Sequence, residues 1–248
     1  LAVPIEFDET LLDPNLFESP EGGGGGLQGW PVFANTVIRN EKTGVYKVNV
    51  NRFDPTEILT LDCRLLTPAD RAYLLKMWRG GYGSGVGCRL RVPYDFTATG
   101  EVQGTINAGQ TKSFQLVKTY TRTGVTARQD VRPIVKPVVN TNLATLGAAT
   151  APVTLYEADG VTPRIIAVPF AVRVNGLTSG FTYTINNTTG TFQIISTVTS
   201  GTVAADFTFD IPAAFMGNSL QFSHDVSSST SNVQFREILP VELGIVIT

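Results

Sequence analysis

Charge is scarce in this sequence. Only 16% of its 248 residues are Asp, Glu, Lys or Arg, against roughly 25% in an average soluble protein. Solubility must therefore lean on Ser, Thr, Asn and Gly, or part of the surface is spent on neighbours in an assembly. The 19 basic and 21 acidic residues leave a net charge of −2, so no global basic field draws in nucleic acid. There is one histidine, His224, and a zinc site would need a second; neither it nor the cysteines show metal-ligand spacing. The two cysteines, Cys63 and Cys88, permit one disulfide, and their spacing does not demand it. A reduced cytosolic site of synthesis fits, with Cys63 as a small buried hydrophobe in a strand. No apolar stretch approaches the roughly 18 residues that span a bilayer. The start is acidic rather than basic, unlike a signal peptide. No membrane insertion is expected.

What charge there is has been sorted. Residues 1–25 hold six acids (Glu6, Asp8, Glu9, Asp13, Glu18, Glu21) and no Lys or Arg. Residues 111–137 hold six bases (Lys112, Lys118, Arg122, Arg128, Arg132, Lys136) and one acid, Asp130. These are either two solvated loops or an acidic arm that docks on a basic surface, its own or a neighbour's. Pro4, Pro14 and Pro20, followed by glycine from Gly22 to Gly26, make residues 1–29 an extended arm and a hinge. The glycine run is no phosphate loop, since it lacks a downstream Gly-Lys-Ser/Thr and a helix start.

The rest reads as strands. Tyr46, Val48 and Val50 alternate with Val45, Lys47 and Asn49, after a turn at Lys42-Thr43-Gly44. Leu59, Leu61 and Cys63 alternate with Ile58, Thr60 and Asp62. Period two marks half-buried strands. One helix is expected over Thr67–Gly81: Thr67 caps, Pro68 opens, Asp70 sits three residues past the cap, and Gly80-Gly81 closes. Tyr73, Leu74, Met77 and Trp78 give it one apolar face for core packing. Gly80–Gly87 reads as a glycine loop. Arg89–Val92 reads as a strand whose arginines face solvent or a partner, because an unpaired buried charge is costly. Phe114–Val117 is a strand core, and Arg132–Pro137, bounded by prolines, an edge segment. Strands at Val153–Tyr156, Ala171–Val174, Phe181–Ile185, Thr191–Ile195 and Ala204–Phe209 are punctuated by turns at Asp159-Gly160, Asn175-Gly176 and Asn186–Gly190. The stretch from Leu220 to Thr248 continues the β pattern, bent at Leu239-Pro240-Val241.

Little of this carries chemistry. Ser223, His224 and Asp225 are adjacent on a strand and point to alternate faces, so they form no triad. Glu157 and Asp159 share a strand face but sit at a turn, where acids are ordinary. Asn186-Asn187-Thr188 matches a glycosylation pattern and is read as a turn. No catalytic, cofactor-binding or metal-binding residue is assigned, no cofactor is expected, and the chain is read as non-enzymatic.

The strings TKSFQLVKTY, RPIVKPV, VRVNG, YTINNTTGTFQI and AADFTFDIPAAF, in this order, with LQFSHDV and FREILPVELGI at the end, resemble the phage and prophage distal tail proteins, a family that includes a component of gene-transfer-agent particles. The resemblance covers the chain from about Val37 onward. Residues 1–29 depart from the family's usual start, and 138–170 carry extra Ala- and Thr-rich sequence. The resemblance implies a mainly β chain: a tail-tube-like β-sandwich or split barrel over 30–107 plus 206–248, with one flanking helix at about 67–79. An inserted β-sandwich-like domain is placed at 108–205, after the arm at 1–29. It implies a homohexameric ring in the virion that joins the tail tube protein to the hub and fibre proteins of the baseplate, with DNA passing through the lumen. The chain would be made in the host cytoplasm. Candidate subunit-interface residues are Glu6, Asp8 and Glu9 on the arm and Lys112, Lys118, Arg122, Arg128 and Arg132 on the basic run. The alternative is a tail-associated carbohydrate-binding module that uses the insert to bind host surface glycan.

Overall fold

The computed structural model describes residues 5–13, 16, 27–32, 35–39, 46–50, 56–62, 66–122, 128–139, 154–156, 163–165, 170–197, 200–217, 220 and 232–246. Strands dominate them, gathered into several sheets, none closed, with a single α-helix among the described residues. No helix among them is long and apolar enough to cross a membrane.

The arm does form an extended segment. It is strand β1 (Glu6–Leu11), followed along the chain by β2 (Leu27–Val32), β3 (Asn35–Arg39), β4 (Tyr46–Val50) and β5 (Thr56–Asp62). β3 and β4 make a two-stranded antiparallel sheet. In β5 the expected alternation holds: Leu59 and Leu61 are fully buried and Ile58 and Thr60 are not. Val45, Cys63 and the Lys42-Thr43-Gly44 turn lie outside the described residues.

Helix α1 (Pro68–Gly80) starts as its sequence dictates. Thr67 Oγ1 accepts from Asp70 N at 3.2 Å, and Asp70 Oδ2 accepts from Thr67 N at 2.9 Å. That reciprocal box satisfies two amides that the first turn leaves without partners. Leu74 is fully buried, with Tyr73, Met77 and Trp78 packed against the core beside it. Gly81 N donates back to Met77 O at 2.9 Å and ends the helix.

Strand β6 (Val86–Leu90) begins earlier than expected. Val86 and Gly87, assigned to a glycine loop, already belong to it, because Gly87 pairs with Phe7 of the arm. β7 (Thr97–Ile106) leads to β8 (Lys112–Gln115) and β9 (Val117–Arg122). Phe114–Val117 is thus not one strand. It breaks at Leu116, whose amide donates to Gly190 O at 2.9 Å and whose carbonyl accepts from Ile134 N at 2.8 Å. Among the described residues β10 (Arg128–Pro133) pairs only with β9, and β11 (Pro137–Val138) lies at the end of its sheet. The prolines around Arg132–Pro137 sit where a missing N–H costs least. β12 (Thr154–Tyr156) and β13 (Pro163–Ile165) pair with each other; the Asp159-Gly160 turn is outside the described residues.

β14 (Ala171–Val174) ends in a tight turn in which Asn175 and Gly176 have φ of 50° and 79°. Two successive positive φ values are what makes Asn-Gly the favoured pair there. β15 (Phe181–Asn186) and β16 (Thr191–Thr197) form a hairpin that β8 extends to three strands. The Asn186 side chain accepts from Thr188 N at 2.9 Å and stabilises the turn between them. β17 (Gly201–Phe209) starts three residues before the expected Ala204 and runs antiparallel to β7 along its length; β14 and β11 pair with its other side. β18 (Ile211–Phe215) follows after Asp210, and β19 (Asn232–Glu237) is the last strand. The chain then enters a 3-10 helix at Pro240–Leu243, capped by Gly244 at φ 71°. This corrects the expected closing strand: Pro240 has no amide for a ladder, and the Glu242 carboxylate folds back on Leu239 N at 2.9 Å.

The six-stranded sheet runs β1-β6-β18-β19-β5-β2. It is antiparallel except where β1 meets β6 in parallel. One contiguous core joins it to the sheet of β7, β17 and β14 and to the sheet of β8, β16 and β15. Phe114 stacks on Phe192 at 5.3 Å, and Phe170 contacts both Phe192 and Tyr183. Tyr183 is fully buried, and its hydroxyl has no hydrogen-bond partner among the described residues. A buried polar atom left alone costs about 1–3 kcal/mol. Tyr183→Phe is therefore expected to raise stability by about 1 kcal/mol, read as a higher urea midpoint at unchanged slope.

Candidate functional site

Two charge clusters, one with a buried centre and one half-buried, hold the segments that the sequence singled out. The first lies where the arm meets the body. Arg91 grips Asp210 Oδ1 through Nε at 2.9 Å and a terminal nitrogen at 2.8 Å. Arg89 Nε lies 3.2 Å from Asp210 Oδ2. Its terminal nitrogens donate to the carbonyls of Lys136 and Pro137 at 2.9 and 2.7 Å and to Glu9 Oε2 at 3.4 Å. Lys136 Nζ donates to Glu9 Oε1 at 2.5 Å and stands 4.1 Å from the centre of the Phe7 ring.

Arg91, Lys136 and Asp210 are all buried. The expectation that the strand arginines face solvent or a partner is thus corrected. Asp210 lies between them, and burial is tolerated because each charge is paired. Burial pulls the Lys136 ammonium below the ordinary lysine range, against the hydrogen bond it donates to Glu9, which holds it up. Lys136 sits on an irregular segment between two prolines, Asp210 at the β17–β18 junction, and Glu9 on the arm. The cluster therefore fastens three segments far apart in sequence.

The second cluster ties β9 and β10 to the six-stranded sheet. Arg132 donates to Glu237 Oε1 at 2.6 Å and lies within 3.7 and 3.9 Å of Asp95 and Glu57. Lys118 forms an ion pair with Asp95 and donates to Thr97 O at 2.7 Å. Tyr120 donates its hydroxyl to Asp95 Oδ2 at 2.6 Å. Burial works to lower the Arg132 pKa, but Glu237, Glu57 and Tyr120 outweigh it and hold it above its ordinary value. Burial raises the Glu57 pKa; Arg132 opposes this, and Glu237 and Asp95 add to it. Burial also pushes the Cys88 thiol up to about 12, and local desolvation of the otherwise exposed Tyr94, with Glu57 and Asp95 nearby, pushes its phenol up to about 12.

The eight candidate interface residues are thus scattered. Glu9 reaches the basic run, but its partner is Lys136, which the candidate set omitted. Glu6 and Asp8 are exposed, and Asp8 accepts from Thr10 N at 3.0 Å. Lys118 and Arg132 are turned inward to the second cluster. Lys112 Nζ donates to Thr105 O at 2.9 Å and lies over Phe114. Arg122 and Arg128 are register partners across β9 and β10. Sequence reasoning missed Phe7, Arg89, Arg91, Lys136 and Asp210 as one group. The available signal was the pair of arginines at i and i+2 in an otherwise apolar strand, which called for a buried acid elsewhere.

Among the described residues no three His, Cys, Asp or Glu are arranged to hold a metal. His224, Glu157 and Asp159 lie outside the described residues. No protein-family model matches this chain, and no curated protein matches it.

Proposed function

We propose that this protein is a structural component of a phage tail, a distal tail protein whose copies close into a six-membered ring between the tail tube and the hub and fibres. The observation that carries this reading is the ordered set of strings from TKSFQLVKTY to FREILPVELGI. The mainly β architecture with one α-helix is consistent with it. The finer architecture belongs to the same proposal. The tail-tube-like part comprises the six-stranded sheet and α1. The insert is entered by β7 and left by β17, and holds the β8-β16-β15 sheet and the β9–β10 hairpin. Low charge fits a surface spent on neighbours. A head-to-tail ring needs two different patches per copy, and in this reading the exposed acids Glu6 and Asp8, on the terminal strand β1 of the six-stranded sheet, belong to one of them.

Native mass spectrometry with negative-stain microscopy tests the reading. A six-fold ring is expected, and a stable monomer at high concentration overturns it. Glu6→Lys with Asp8→Lys is expected to shift the mass distribution from ring toward monomer. The melting temperature should stay within about 2 °C, since exposed substitutions move stability by no more than about 0.5 kcal/mol. An unchanged ring mass would remove these two acids from the interface.

A further inference from the structure

We infer that the groove between the β6 edge and Lys136 is a receptor for an acidic β-strand, and that in the assembled protein the strand it holds is the β1 arm of a second copy. The receptor is shaped for this arm. Gly87 is its floor: a Cβ there would stand 2.8 Å from the Phe7 ring and 2.4 Å from Ile238 Cδ1. Lys136 covers the same ring from above and takes its carboxylate from Glu9. Arg89 offers a second contact to Glu9, and its carbonyl accepts from Leu12 N at 2.8 Å. Ile5 N donates to Glu242 O at 2.9 Å. Leu12 and Leu16 then enter the core. A strand without an acid at the Glu9 position would leave a buried ammonium unpaired, so the site selects by charge as well as by shape.

β1 and β2 are consecutive in the chain but lie at opposite edges of the six-stranded sheet, five strand spacings or about 24 Å apart. Between Leu16 and Leu27 run ten residues, 17–26, five of them glycine. That stretch reaches at most roughly 36 Å, enough for the far edge of its own sheet or for a copy set beside it. The receptor is built from Arg89, Lys136, Ile238 and Glu242, all distant in sequence from the arm. The same contacts therefore form whichever copy supplies it. In a dilute chain the tether keeps the arm at home through a millimolar effective concentration. In a ring the neighbour's groove is held at comparable density, and exchange keeps the contacts of β1 named above. The choice of a second copy as donor rests on the ring reading.

Glu6 and Val86 are register partners across β1 and β6, which gives the test. Full-length E6C and V86C single variants are mixed at ring-forming concentration, oxidised and run on a non-reducing gel, with the native cysteines kept and the wild type as background. Any 6–86 disulfide in this mixture joins two chains. A covalent dimer that requires both variants is expected. The double variant E6C/V86C, which also permits closure within one chain, should give a ladder of covalent multimers. A mixture with no dimer above background, while the double variant closes only within single chains, overturns the exchange. Microscopy of the same samples separates the two ideas. Rings without intermolecular disulfides sink the exchange and leave the ring standing. Intermolecular disulfides without rings do the reverse.

Discussion

Gly190→Ala is expected to lower the unfolding free energy by about 4 kcal/mol, seen as a large drop in urea midpoint at unchanged slope. Two causes act together. Gly190 has φ +70°, and a residue with a side chain pays about 1–2 kcal/mol for that left-handed conformation. A Cβ there would also lie 1.7 Å from Ile134 O and 2.9 Å from Val135 Cα, far inside van der Waals contact with backbone that cannot swing aside. The corner at Leu116 would have to open. It would lose the bond from Leu116 N to Gly190 O, the bond from Ile134 N to Leu116 O, and the grip of Gln115 Nε2 on Ile134 O at 2.9 Å and Gly190 O at 3.2 Å. Each is worth roughly 1 kcal/mol net. Gly109→Ala separates the two causes: its φ is +72°, but nothing lies within 4 Å of the added Cβ. It should cost only about 1–2 kcal/mol. Equal losses at the two sites would show that Ile134 does not crowd Gly190.

Asp210→Ala is expected to cost about 3–5 kcal/mol, the range for breaking a buried ion pair from one side. The loss is large because the arginines remain. The side chains of Arg91 and Arg89 are 7% and 12% exposed, and without Asp210 the cluster holds three cations against the single carboxylate of Glu9. Asp210→Asn keeps oxygen and volume but not charge, and should fall between the wild type and Asp210→Ala in chemical denaturation. Hydrogen exchange adds a spatial reading: in Asp210→Ala the amides of β1 and β6 should lose protection before those of the β15–β16 hairpin. A loss under about 1 kcal/mol, or protection lost evenly, would show that the cluster does not fasten the arm.

The readable parts of this protein were those whose cause is local. Helix α1 was legible to within a residue at each end, because Thr67, Pro68, Asp70 and Gly81 act within a turn of where they stand. The Asn175-Gly176 turn was legible because two positive φ values in succession select that pair. The alternation in β5 was legible because strand side chains point to alternate faces of the sheet, only one of which is buried. Where a partner from elsewhere decided, the reading failed. Gly87 reads as loop until Phe7 is laid beside it. Leu116 reads as mid-strand until Gly190 and Ile134 claim its amide and carbonyl. Pro240–Leu243 reads as part of a β pattern bent at Leu239-Pro240-Val241; the carboxylate of Glu242, folded back on Leu239 N, helps curl it into a 3-10 turn instead.

The candidate interface divides in the same way. The segregation of acids into residues 1–25 and bases into 111–137 is written in the sequence, and so is the existence of an arm. Which acid meets which base is not, because pairing depends on where strands far apart in the chain come to lie. The tertiary structure put Asp210 between Arg89 and Arg91, turned Lys118 and Arg132 inward to Asp95 and Glu237, and left Lys136 to meet Glu9. Sequence alone determined that the protein is mainly β, with one capped helix and an acidic arm. Only the tertiary structure decided that the arm is a sixth strand held by a buried lysine, because a buried charge is placed by the partner that neutralises it, and that partner came from the other side of the chain.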